Sequence, residues 1–302
     1  LLALVLGQEP AVFPTQVELV YVDVFVTKKD APVTGLEARD FRLKDNGVRQ
    51  RVELVDRELV PTTAVLALDT SASVIGPKLV HLKEAAGVFL AGLGDRDEAA
   101  LVTFSHKLVL RQDAGRDTSA VEAALDRVRA RGGTAVIDAL YVCLKRRWGT
   151  GRPLVVLFTD GRDSASWLAN EDILEAARES SAVLHVVGTE APPRRPRERP
   201  RAAGSARTFG AVAWEPVESG YVRLLRQAAE TTGGANWPVD SARRLPDAFL
   251  RIRVASTARY VLRYEATGVE RTGRHRLEVS VGRRGVEVRA RQEYVVGAGT
   301  VP

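Results

Sequence analysis

Cysteine and histidine are nearly missing from this chain: one Cys and four His stand in 302 residues. A lone thiol, Cys143, cannot close an intrachain disulfide, so stability must come from a packed core, and the helical pattern around it reads as packing. His81, His106, His185 and His275 are scattered, which suits surface or packing positions and not a zinc site. Long apolar runs are absent too. None reaches the roughly 18 residues that cross a bilayer, which excludes a membrane-embedded body and any transmembrane segment. Neither a Gly-x-Ser-x-Gly elbow nor a Gly-rich Lys-Ser/Thr phosphate loop occurs, and this removes the usual hydrolase and nucleotide-binding signatures. No catalysis is expected.

The net charge of +6 comes mostly from arginine. The densest basic run, Arg194, Arg195, Arg197, Arg199 and Arg201, is broken by Pro196 and Pro200 and reads as a solvated loop. No aromatic side chains interleave with it to stack bases, so a nucleic-acid partner is not expected.

What remains is an ordinary globular composition, 45% apolar and 27% charged, in a chain long enough for two domains. Its first seven residues are apolar or Gly and precede Gln8-Glu9-Pro10. They read as the tail of a signal-peptide h-region, with the small Val5 and Gly7 three and one positions before a cleavage point. Residues 1–12 are thus expected to be leader and linker, and the protein to be exported: secreted, periplasmic or at the cell surface. No Cys follows to take a lipid anchor.

Residues 61–256 alternate apolar runs of strand length with stretches of helical period, the pattern of an α/β domain with a doubly wound, mostly parallel sheet. Strands are expected at 63–68, 98–104, 153–159 and 182–188, with an antiparallel edge at 107–110. Helices are expected at 78–93, 119–129, 136–147, 170–180, 222–231 and about 245–254. Pro77 stands in the first turn of the first helix, and Gly92 and Gly94 at its end. The Arg/Pro-rich segment 191–220 either borders the ligand crevice or is a spacer.

The flanks are strand-like. Residues 17–26 read as one strand, and 41–43 lead through Asp45-Asn46-Gly47 into 48–54, which is hairpin chemistry. Residues 277–281 and 286–290 alternate apolar and polar positions about a turn at 282–285. Neither flank can bury a face alone, since an isolated hairpin is marginal in water. Residues 13–58 and 258–296 are therefore expected to pair into one small β-sandwich into which the α/β domain is inserted.

The chemistry gathers at the strand ends. The first α/β strand closes in Asp69-Thr70-Ser71-Ala72-Ser73, and the strand at 153–159 closes in Asp160-Gly161. Ligands of doubly wound sheets lie beyond the carboxyl ends of strands where the strand order reverses. If these two strands flank that point, both carboxylates face one crevice. Gly132-Gly133-Thr134 adds a loop whose glycines let the backbone approach and leave the Thr hydroxyl free. Asp69, Ser71, Ser73, Thr134 and Asp160 are thus a candidate metal site with hard oxygen donors alone. Such a set suits Mg²⁺, with Mn²⁺ as the close alternative and Ca²⁺ possible although it takes more oxygens.

These residues resemble the metal-ion-dependent adhesion site of the von Willebrand factor type A domain, over about residues 61–256. The resemblance implies direct metal contacts from Ser71, Ser73 and either Thr134 or Asp160, with Asp69 acting largely through waters. It also implies adhesion: a protein partner whose Glu or Asp fills the open metal position. Val74-Ile75-Gly76 follows Ser73 where the integrin β version has acidic residues, so a neighbouring second metal site is not supported. The layout, with Gly35-Leu36 to Asp40-Phe41, Thr232-Gly233-Gly234 and Arg259 to Tyr264, is further similar to a bacterial family of exported proteins related to this domain. A structural or assembly role with an ancillary or vestigial metal site is the alternative.

Overall fold

The computed structural model describes residues 19–29, 31–56, 60–161, 163–189 and 220–296. The leader read at 1–12 lies outside them, as does the segment 191–220 apart from Gly220.

The amino-terminal flank holds β1 (Leu19–Lys28), β2 (Ala31–Pro32), β3 (Phe41–Asp45), β4 (Val48–Gln50) and β5 (Glu53–Val55). In β1 the period of two sends Val22, Val24 and Val26 into one apolar cluster and Phe25 into another, so the strand is covered on both faces. The turn from β3 to β4 has Asn46 and Gly47 both at positive φ, the backbone that Asn-Gly supplies to a two-residue hairpin. The expected single strand at 48–54 is instead two. The buried Gln50 side chain bonds the backbone of Thr267 in both directions, and beyond it the chain leaves β3 to pair with a different sheet.

Then come β6 (Thr62–Asp69), α1 (Pro77–Leu90), β7 (Glu98–Phe104), β8 (Leu108–Gly115), α2 (Thr118–Asp126), α3 (Val136–Lys145), β9 (Arg152–Thr159), α4 (Asn170–Glu179), β10 (Val183–Thr189), α5 (Gly220–Thr231), β11 (Ala235–Val239) and α6 (Leu245–Thr257). The six strands make one sheet in the order β11-β10-β9-β6-β7-β8, parallel except for the edge strand β8. Successive residues of β6 point to opposite faces: Ala64, Leu66 and Leu68 join α1, α2 and α6, while Val65 and Ala67 join α3, α4 and α5. Cys143 is buried in the second of these layers, and burial pushes its thiol up to about 12. The sequence reading missed β11, because Pro238 argues against a strand. Here the proline is tolerated because β11 is an edge and pairs with β10 alone. Winding reverses between β6 and β9, which are direct neighbours.

The carboxyl-terminal flank holds β12 (Tyr260–Glu265), β13 (Gly273–Val281), β14 (Glu287–Ala290) and β15 (Glu293–Val296). It pairs with the amino-terminal flank in two antiparallel sheets. One runs β14-β1-β12-β5, with β2 added beside β1, and the other runs β15-β13-β3-β4. Val22, Val24, Leu43, Leu262, Tyr264 and Leu277 belong to one apolar cluster drawn from both sheets. The expected hairpin of 277–281 with 286–290 does not form. Its second arm pairs with β1, setting Val288 opposite Val26, and residues 282–285 carry the chain from one sheet to the other.

Candidate functional site

Strand pairing decides where the carboxylates go. Leu68 of β6 lies in register with Phe158 of β9, so Asp69 and Asp160 leave the sheet side by side at the reversal point. Asp69 is fully buried, and its carboxylate fastens the loop that follows: Oδ1 accepts from the Ser71 amide at 2.8 Å and Oδ2 from the Thr159 hydroxyl at 2.8 Å. Burial raises the Asp69 pKa, the hydrogen bonds from Ser71 and Thr159 oppose that rise, and the Asp160 charge adds to it.

The Ser71 and Ser73 hydroxyls are 2.8 Å apart, and the Ser73 hydroxyl donates to Asp160 Oδ1 at 2.5 Å. Ser71 is buried while Ser73 is exposed, so this row of oxygens runs from the sheet end out to solvent. Thr134 closes the other side. Its loop is held to the first one by Ala72 N–H to Gly132 O at 2.9 Å and Arg131 N–H to Thr70 O at 2.7 Å. At Gly132, φ is +81° and a Cβ would stand 2.1 Å from His106 Nδ1, so backbone and space both call for glycine. Gly161 does a different job. A Cβ there would lie 3.4 Å from Thr134 Oγ1 and 3.6 Å from Ser73 Oγ, filling the pocket between these two hydroxyls.

All five residues singled out in the sequence therefore meet in one place. The donors are two carboxylates and three hydroxyls around a cradle kept open by a missing Cβ, and that chemistry fits a hard divalent cation. Among the described residues no group of three or more His, Cys, Asp or Glu is placed to hold a metal ion, so the donor set rests on hydroxyls as much as on carboxylates.

Sequence reasoning missed four contributors. Lys78, in the first turn of α1, puts its ammonium 2.5 Å from Asp160 Oδ2 and 3.1 Å from the Ser73 carbonyl. Asp163 caps α3 from a distance, accepting from Val136 N–H at 2.9 Å, because the residue before that helix is Ala135 and has no side-chain acceptor. Ser164 Oγ accepts from Thr134 N–H at 3.0 Å and so fixes the Thr134 loop against the loop after β9. Tyr221 brings a buried hydroxyl beside Thr159 and near Asp69, and burial pushes its pKa well up. One available signal was Lys78 itself, since a cation at a helix N-terminus opposes the helix dipole.

Residues 64–162 match the family described as von Willebrand factor type A domain. Within those residues the chain is similar to a von Willebrand factor type A domain. Over 114 residues it is 29% identical to inter-alpha-trypsin inhibitor heavy chain H4 of Sus scrofa, covering 34% of this chain and 12% of that protein. Over 87 residues it is 34% identical to an uncharacterized protein of Synechocystis sp., covering 28% of this chain and 20% of that one. The matched region thus spans a fifth or less of either relative. A solved von Willebrand factor type A structure from Catenulispora acidiphila superposes with a TM-score of 0.50 at 14% identity, covering 95% of this chain and 76% of that chain. That likeness shows the fold alone. Among the described residues no helix is long and apolar enough to cross a membrane.

Proposed function

We propose that the A domain is a metal-dependent, non-enzymatic protein-binding module of an exported adhesion or interaction protein. Its site is made by Asp69, Ser71, Ser73, Thr134 and Asp160, and its metal is Mg²⁺. A domains are typically protein-interaction modules. The observation that carries the metal reading is the row of oxygens from Ser71 through Ser73 to Asp160, with the Thr134 hydroxyl across the gap that Gly161 leaves open. Ser71, Ser73 and either Thr134 or Asp160 would hold the ion directly. Asp69 stays one step back, its oxygens holding the Ser71 amide and the Thr159 hydroxyl. Bound there, the ion would supply an electrophilic open position for a Glu or Asp carboxylate of a protein partner. The exposed Ser73 end of the row leaves room for that approach. Export rests on the apolar leader, and the likeness to a bacterial exported family rests on the phrases that carry it.

A melting curve tests the site. At free Mg²⁺ a hundred times Kd, binding adds about 2.7 kcal/mol, which raises the midpoint by about 5 °C or more over chelator. An identical midpoint in both would sink the reading. Gly161→Ala gives a second expected result. The new methyl sits at ordinary contact distances, so stability stays within about 0.5 kcal/mol, but it covers the Thr134 and Ser73 hydroxyls. Mn²⁺ affinity by isothermal titration should fall about tenfold or more, and unchanged affinity would move the ion elsewhere. Affinity capture from the native extract, with and without Mg²⁺ and with Ser73→Ala, then tests partner binding. A partner retained under chelator and by Ser73→Ala would place recognition away from the metal.

A structural or assembly role with an ancillary or vestigial site is the second reading. It is favoured by the Lys78 ammonium, which already satisfies Asp160.

A further inference from the structure

We infer that Lys78 is a tethered counter-ion of the metal site, which pairs with Asp160 whenever no divalent ion is bound and must leave that carboxylate for one to enter. The inference rests on the metal reading above and adds what governs loading.

Three observations carry it. The ammonium bridges two of the five site residues, bonding Asp160 Oδ2 at 2.5 Å and the Ser73 carbonyl at 3.1 Å, while Asp160 Oδ1 takes the Ser73 hydroxyl. Both oxygens of this carboxylate are engaged, and its side chain is fully covered. An ion that uses either oxygen meets Lys78 or its partner first.

The second observation is position. Lys78 stands in the first turn of the fourteen-residue α1, which has no acidic residue in that turn and no side-chain cap. A cation is disfavoured there by the helix dipole, so what holds it comes from outside the helix. Asp160, 82 positions further along the chain, is what the structure provides.

Third, Lys78 can leave. Its side chain is 44% exposed, and a flexible four-carbon stem lets the ammonium move into water while the stem stays where it is. Two cations on one covered carboxylate repel strongly at reduced dielectric, so ammonium and divalent ion exclude each other at Asp160. Lys78 thus keeps the crevice neutralised without metal and lowers the apparent metal affinity by the free energy of its own ion pair.

Isothermal titration of the full chain with Mn²⁺ alone, for wild type, Lys78→Gln and Lys78→Arg, tests this. Lys78→Gln should bind at least tenfold more tightly than wild type, and Lys78→Arg, which keeps the charge, should stay near it. Melting curves should show Lys78→Gln losing more stability to chelator than wild type does. Equal Mn²⁺ affinity in wild type and Lys78→Gln would overturn the inference and leave the metal reading standing. Weaker binding by Lys78→Gln would overturn it too, by making the lysine a support for the ion. Absence of binding in all three would overturn the metal reading and this inference together. Lys78→Met, equally uncharged and closer in shape, guards against a fold defect peculiar to glutamine, and it must reproduce the tighter binding.

Discussion

Asp23→Asn should destabilise the protein by about 3–5 kcal/mol in urea denaturation, the usual cost of stripping one partner from a buried ion pair. Asp23 lies in β1 and meets Arg152, at the start of β9, at 2.9 and 2.5 Å. Arg259, just before β12, meets the same carboxylate at 3.1 Å. The side chains of Asp23 and Arg259 are almost entirely buried and that of Arg152 is mostly so. Without the carboxylate charge two guanidinium groups are left in a poorly solvated place. Arg291 is close enough to add a third positive charge, and burial together with Arg152 lowers its pKa to about 10. Arg152 can partly regain water and Arg259 cannot, so Arg152→Ala should cost less than Asp23→Asn.

The same cluster sets a pH dependence. Burial alone would raise the Asp23 pKa, but Arg152, Arg259 and Arg291 outweigh it and hold the carboxyl below its ordinary value of 3.8. A carboxyl depressed by folding contributes stability that is fully present above the unfolded pKa and is lost as pH falls through the folded one. The wild type should therefore lose this contribution only below about pH 4, and Asp23→Asn should lack that part of the acid limb. Parallel acid limbs in the two proteins, or a loss under about 1 kcal/mol at neutral pH, would remove the cluster from the account of stability.

Much of the α/β architecture was legible in the sequence because parallel strands covered on both faces write themselves as short, charge-free apolar runs. The run that became β6 could be read together with its exit into Asp69, since an apolar strand closing in Asp-x-Ser-x-Ser is one piece of the pattern that carries the family resemblance. β9 was legible for the same reason, and the meeting of Asp69 with Asp160 hung on the condition that these two strands flank the point where the sheet reverses, which they do. β11 was not, because proline on an edge strand looks like proline in a loop until the neighbours are known. The hairpin expected of residues 277–290 failed for a related reason. Alternation tells which face of a strand is apolar but not which sheet it joins, and β14 found its apolar partner in β1. Within the site the five oxygen-bearing residues could be read because their types and spacing are local. Asp163 and Tyr221 could not, since each acts across tens of residues through a geometry that no short motif encodes, and the helix-dipole signal at Lys78 does not say which carboxylate it meets.

His275 and Asp45 make the same point in the flanks, and they supply the other large expected effect. Asp45 at the end of β3 is fully buried. It accepts from the Tyr264 hydroxyl and the Tyr294 hydroxyl at 2.9 Å each, and pairs with His275 Nδ1 at 2.9 Å. These partners come from β12, β15 and β13, all in the other flank. Asp45→Ala would leave up to three buried polar groups without their acceptor, at about 1–3 kcal/mol each. The two tyrosine hydroxyls, 3.3 Å apart, can satisfy each other in part. The expected loss is about 3–5 kcal/mol, and Asp45→Asn, which keeps one acceptor oxygen, should lose less. Hydrogen exchange on Asp45→Ala shows where the loss falls. If the two flanks form one cooperative unit, amides of β3 and of β12, β13 and β15 should all exchange faster while those of β6 and β9 keep more of their protection. Faster exchange in β3 alone, with 260–296 still protected, would mean that the flanks pair without depending on each other. The shared carboxylate makes that outcome the harder one to reach, because a β3 that loosens takes the acceptor away from three strands at once.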